Sequence, residues 1–104
     1  PQPQAMAYRL IYTKPAVRDL EGIVHYIAQD RPEAAHAVGL ALVDLAESLP
    51  RFPLLGPLLR HRPGVRKVVH APYVVLYRVD DARQQIRIQR FWHAKRDPRS
   101  LHAE

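Results

Sequence analysis

The apolar residues keep one period before residue 50 and another after residue 64, and the stretch between can follow neither. Val17, Leu20, Ile23, Val24 and Ile27 recur at three- and four-residue spacing, as on a helix with one apolar face. Ala35, Val38, Leu42, Leu45 and Leu49 form a second stripe of the same kind. After residue 64, VRKVVHA (65–71), YVVLYRV (73–79) and QIRIQRFW (85–92) are short runs rich in β-branched and aromatic residues, which read as strands. AYRLIYT (7–13) reads as another. PRFPLLGPLLRHRPG (50–64) holds four prolines and two glycines, so it is an ordered loop, with its leucines expected to anchor on the core.

The punctuation agrees with the periods. Thr13 is a cap candidate and Pro15 a first-turn proline, so the first helix starts there and ends near residues 28–30. DRPEAA (30–35) repeats the signal, with Pro32 in the first turn and Glu33 near the positive helix end. The join is short, which predicts an antiparallel hairpin of helices. APY (71–73) makes a tight link and DDARQ (80–84) a polar turn. The expected fold is α+β: an N-terminal strand, an antiparallel two-helix hairpin, then a three-stranded antiparallel meander. The helices pack on one face of a mostly antiparallel sheet. One domain over residues 7–98 is expected, with 1–6 a leader and 99–104 a polar tail; PQPQA is set aside and Met6 taken as the natural start.

Several chemistries are excluded. There is no cysteine among the 104 residues, hence no disulfide, zinc-thiolate site or cysteine nucleophile. No apolar run approaches a membrane span and no secretory signal is visible, so a cytoplasmic location is expected. Ser48 and Ser100 do not occupy the strand-to-helix elbow of a hydrolase serine. The four glycines (Gly22, Gly39, Gly56, Gly64) form no phosphate-binding loop. The six histidines never fall at metal-ligand spacing on one helix face. His25 and His36 read as helix-surface residues, and Asp44 and Glu47, with Arg51 beyond, as a solvated face. No cofactor and no metal is expected.

The charge is lopsided. Residues 1–59 carry a net −1 and residues 60–104 a net +7, with four of the six histidines. Such a patch attracts phosphates or acidic proteins. Metal-free RNA cleavage would need a base, cations for the charged transition state and an acid, which His93, Lys95, Arg96, Arg66, Lys67 and His70 could supply. The same residues could bind phosphate or carboxylate without reacting. A plain nucleic-acid-binding domain would show salt-dependent DNA binding, but the basic residues include no recognition helix.

YRLIYTKPAVRDLEGIVHYIAQDRPEAA (8–35), GVRKVVHAPYVVLYRV (64–79) and IRIQRFWHAKRDP (86–98) together resemble the ParE/RelE toxins of bacterial type II toxin–antitoxin systems. The signal rests on Asp19, Leu20, Ile23, Tyr26 and Ile27, on the VRKVVHAPYVVLYRV hairpin and on the closing HAKRD. The resemblance implies a cognate antitoxin that wraps the toxin, and dimers or toxin–antitoxin heterotetramers, for which an exposed Leu54, Leu55, Leu58, Leu59 cluster would speak.

The branch bears on mechanism. RelE-like toxins cleave messenger RNA on the ribosome with lysines on the second strand, an arginine after the aromatic that opens the third, a later arginine and often a C-terminal tyrosine. Arg66 and Lys67 stand near the lysine positions and Arg96 matches the last arginine. Val74, however, follows Tyr73 where the catalytic arginine belongs, and His102 is the sole stand-in for the tyrosine. The pattern favours the ParE-like branch, which poisons DNA gyrase by trapping it with its DNA cut. On that reading no catalytic residue is expected, and Arg66, Lys67, Arg90, His93, Lys95 and Arg96 bind the target. On the ribonuclease reading His93, Lys95, Arg96 and Arg66 are catalytic. Ile86, Ile88 and one of Phe91 or Trp92 are expected in the core.

Overall fold

The computed structural model describes residues 8–95. Its elements are β1 (Arg9–Tyr12), α1 (Lys14–Ala28), α2 (Pro32–Ser48), β2 (Val65–His70), β3 (Tyr73–Asp80) and β4 (Gln85–His93). The Thr13 hydroxyl accepts from the Ala16 N–H at 3.3 Å and caps α1. The second helix starts without such a cap: Arg31 occupies the position, its side chain makes no capping bond, and Pro32 sets the turn. None of the described helices is long and apolar enough to cross a membrane.

The sheet runs in the order β1-β4-β3-β2. The β2, β3 and β4 strands form the antiparallel meander, but β1 pairs β4 in parallel, Leu10 against Ile86 and Tyr12 against Ile88. The sheet is therefore mixed, because the helical hairpin carries the chain back to the opposite edge before the meander begins. Between β3 and β4 the register shifts: Tyr77 faces Ile88 and Leu76 faces Arg90, leaving Gln89 with no opposite residue. This bulge turns Phe91 to the face already occupied by Ile86 and Ile88. Phe91 and Trp92 point to opposite faces and both are buried, because each face carries an apolar cluster, where a core on one face alone would leave one of them outside.

Two apolar clusters result. The larger lies between the helices and the sheet and includes Ala16, Leu42, Ala46, Leu49, Tyr77 and Ile88. On the far face Val65, Val74, Leu76 and Trp92 pack with Leu59 of the loop. That loop is pinned most closely at Gly56. The Gly56 N–H donates to Tyr77 Oη at 2.9 Å, Tyr77 Oη donates to the Pro53 carbonyl at 2.8 Å, and Arg66 Nη1 donates to the Gly56 carbonyl at 2.8 Å. A Cβ on Gly56 would stand 2.2 Å from the Lys67 carbonyl oxygen, so the close approach requires glycine. The anchoring expected of the loop leucines holds for Leu59 alone: Leu54, Leu55 and Leu58 are all more than half exposed, with Phe52. Backbone bonds do the anchoring instead, Lys67 N–H to the Pro57 carbonyl and Leu59 N–H to the Val65 carbonyl.

Candidate functional site

Because β1 stops at Tyr12, the outer edge of β4 beyond Ile88 has no strand beside it, and α1 closes it. The Thr13 N–H and hydroxyl both donate to the Ile88 carbonyl, at 3.1 and 2.8 Å. Six residues further along the chain, Asp19 accepts the Phe91 N–H at 3.1 Å and the Arg90 guanidinium at 2.6 and 3.0 Å. The same guanidinium lies 5.1 Å from the centre of the Trp92 ring. Arg90, expected to reach a target, is thus engaged within the fold.

Above this edge runs a groove of about 920 Å³ between the helical hairpin and the end of the sheet. Ile23, Ile27, Val38 and Phe91 give it an apolar floor, while Arg18, Arg31, Tyr26 and His93 stand around it. Tyr26 is 76% exposed. Gly22 also lines the groove, and a Cβ there would meet nothing within 4 Å. Gly39 differs: a Cβ on it would touch Val24 at 3.1 Å, so its absence serves the packing of the two helices. A glycine inside a helix costs about 1 kcal/mol relative to alanine. For Gly22 no contact within the described chain accounts for that cost.

His93 stands at the groove's far end. Its Nδ1 accepts the Lys95 N–H at 3.1 Å, so the neutral ring carries its proton on Nε2. The ring meets Tyr73 edge-on, with centroids 5.2 Å apart. His70, Tyr73 and His93 are paired in one line across β2, β3 and β4.

The remaining site candidates do not converge. Arg66 faces the helical side and holds the loop through Gly56; it is paired with Tyr77, four residues along β3 from the partner of His93. Four residues of strand span about 13 Å, and two strand spacings add to that. Lys67, paired with Leu76, belongs to the opposite face. Lys95 is exposed in the turn after β4. Arg96 and His102 lie outside the described residues. Among the described candidates, no pair of acid–base groups with a neighbouring cation is assembled. Of the site candidates, His93 lines the groove; the helical residues around it were legible only as an apolar hairpin surface, with an isolated glycine in the helical pattern.

Comparison with known proteins follows this geometry. Residues 10–98 match the family described as ParE toxin of type II toxin-antitoxin system, parDE. A protein named Toxin RelE2, from Caulobacter vibrioides, is 37% identical over 89 residues, covering 85% of this chain and 97% of that one. Among solved structures, a chromosomal ParDE toxin–antitoxin system from P. aeruginosa is similar with a TM-score of 0.73 and 26% identity, over 86% of this chain and 99% of that one. The RelBE2 toxin–antitoxin complex from Mycobacterium tuberculosis gives a TM-score of 0.60 and 32% identity, over 84% and 98%.

Proposed function

This chain belongs to the ParE/RelE superfamily of type II toxin–antitoxin toxins, and from that premise we propose that it is a cytoplasmic toxin without catalysis of its own. Its target is DNA gyrase, which it traps with DNA cleaved, and a cognate antitoxin neutralises it. The observation that carries this reading is Val74. It is 7% exposed and packed with Val65, Leu76 and Trp92, at the position where a ribonuclease of the RelE type needs an arginine. Losing such a cation costs a factor of about 100 or more in rate. The dispersion of Arg66, Lys67 and His93 over two faces adds to the argument. Arg66, Lys67, Arg90, His93, Lys95 and Arg96 remain the proposed target-binding set, with Arg66 and Arg90 acting mainly by holding the surface in place.

The antitoxin is assigned to the groove. An acidic, amphipathic helix would lay its apolar side on Ile23, Ile27 and Phe91, its carboxylates toward Arg18, Arg31 and His93, and its backbone close over Gly22. The assembly proposed is a toxin homodimer or a toxin–antitoxin heterotetramer, for which the exposed Leu54, Leu55 and Leu58 speak.

The test is a gyrase supercoiling and cleavage assay with the purified protein, beside an in vitro translation reaction probed for message cutting. Cleaved DNA with intact messages is expected. Cut messages with normal gyrase would overturn the reading in favour of a ribosome-dependent mRNA endonuclease, the alternative that likeness to a toxin named RelE2 keeps in play.

A further inference from the structure

The loop between α2 and β2 turns apolar side chains outward while its backbone is held fast. Phe52, Leu54, Leu55 and Leu58 are 53–66% exposed. Pro53 and Gly56 are both tied to Tyr77 Oη, and the Leu55 N–H donates to the Phe52 carbonyl at 3.1 Å, so Leu54 and Leu55 sit at the tip of a fixed turn. The cost of ordering this surface is met within the chain, before any partner arrives. None of the four lines the groove or belongs to the target-binding set.

The same loop forms a sheet edge. Leu58 bridges Arg66 of β2 in antiparallel fashion, the Lys67 N–H donates to the Pro57 carbonyl at 3.0 Å and the Leu59 N–H donates to the Val65 carbonyl at 2.8 Å. The Pro57 carbonyl and Leu59 N–H point inward to β2, so the N–H and carbonyl of Leu58, lying between them, point outward. Among the described residues no hydrogen bond takes either group. An apolar edge left open in this way is ready to pair with another strand.

We propose that the occupant of this surface is a second copy of the chain, related to the first by a two-fold axis through Leu58. The inference rests on the assembly proposed above and names the surface that makes it. The two Leu58 residues exchange both backbone hydrogen bonds as an antiparallel pair, and one patch serves as both halves of the contact. Taking about 200 Å² for each residue when fully exposed, the four side chains offer roughly 450 Å² of apolar surface per copy. A standard interface takes about 800 Å² from each partner, about 56–65% of it apolar, so the patch has the area a stable dimer needs. Arg51 and Arg60 flank it and are exposed, and no acid lies between Glu47 and Asp80. The contact is therefore apolar at its centre with like charges at its rim, where salt screens them. Association that tightens with salt follows, opposite in sign to the capture of an acidic partner.

The experiment is sedimentation equilibrium of the full chain without antitoxin, over a concentration and salt series. A dimer with a dissociation constant on the order of 10⁻⁶ M is expected, tighter at high salt than at low. Leu54→Ser with Leu55→Ser should weaken it at least about tenfold. Leu58→Pro removes an N–H that no group in the described chain uses, so the fold should survive while the dimer weakens about tenfold or more. The chain has no cysteine, so Leu58→Cys introduces a single thiol. Residues that exchange hydrogen bonds across an antiparallel pair have Cα atoms about 5.5 Å apart, within disulfide reach. Leu58→Cys should therefore cross-link two copies under mild oxidation, and Leu40→Cys, exposed on α2, should not. A monomer at every concentration and salt would overturn the second copy and the homodimer with it, leaving the heterotetramer. A dimer that keeps its affinity in Leu54→Ser with Leu55→Ser, or that does not cross-link through Leu58→Cys, would overturn the surface alone. Association that weakens with salt would overturn it as well.

Discussion

Arg90 Nε lies 2.6 Å from Asp19 Oδ2, and the same carboxylate oxygen accepts the Phe91 N–H. Both side chains of the ion pair are 16% exposed. One helical carboxylate thus closes the open edge of β4 and holds a guanidinium over Trp92. Breaking such a pair on one side leaves the other charge poorly solvated.

Asp19→Ala should therefore cost about 2–3 kcal/mol, below the loss for a fully buried pair because some solvent reaches the site. Asp19→Ala combined with Arg90→Ala should cost less than the sum of the single changes. Urea denaturation of the four proteins measures the coupling, and strict additivity would mean that the pair contributes nothing.

Gly22→Ala should raise the stability of the isolated chain by about 0.5–1 kcal/mol, since the new methyl meets open space and the helix gains propensity. Gly22→Leu should fold equally well yet weaken antitoxin binding by about tenfold or more, as a side chain fills the point of closest approach. Thermal melts and antitoxin titration read the two effects separately. Unchanged affinity in Gly22→Leu would remove the antitoxin from this groove.

Two tyrosines should respond oppositely to loss of their hydroxyl. Tyr12 Oη is buried and bonds to nothing among the described residues, so Tyr12→Phe should be neutral or stabilise by up to about 1 kcal/mol. Tyr77→Phe should cost about 1–3 kcal/mol, because the Gly56 N–H and Pro53 carbonyl lose their partner. Equal melting temperatures for the two variants would contradict this account.

Burial raises both hydroxyl pKa values; Glu47 adds to the effect at Tyr12, and the Gly56 hydrogen bond and Arg66 oppose it at Tyr77. The native state thus favours the protonated phenols. Their contribution is complete below the unfolded tyrosine value of about 10 and is lost as pH rises toward the higher folded values. Alkaline denaturation followed by tyrosinate absorbance should show ionisation of these two with unfolding, and their ionisation in a still folded chain near the ordinary value would refute it.

His93→Ala should leave growth arrest partly intact if the protein is a binding poison, whereas loss of a catalytic acid or base removes about 10²–10⁴ in rate. Expression in a host without the antitoxin, scored by colony survival, decides between them. Complete loss of arrest with a fully folded variant would favour chemistry.

Much of this molecule is written in neighbouring residues. The three- and four-residue spacing of Val17 to Ile27 and the prolines at 15 and 32 determined both helices, because helix formation depends on residues within a turn of one another. The β-branched runs determined the meander for the same local reason, and the charge excess beyond residue 60 was plain from counting. Strand pairing was not. That β1 runs parallel beside β4, that a bulge at Gln89 turns Phe91 toward the helices, that a second cluster buries Trp92 on the far face, and that Arg90 meets a carboxylate 71 positions away depend on contacts between distant segments. Spacing along the chain carries no record of them. The groove exists only once the helical hairpin lies across the end of the sheet, so the tertiary structure alone decided that Gly22, Phe91 and His93 come together.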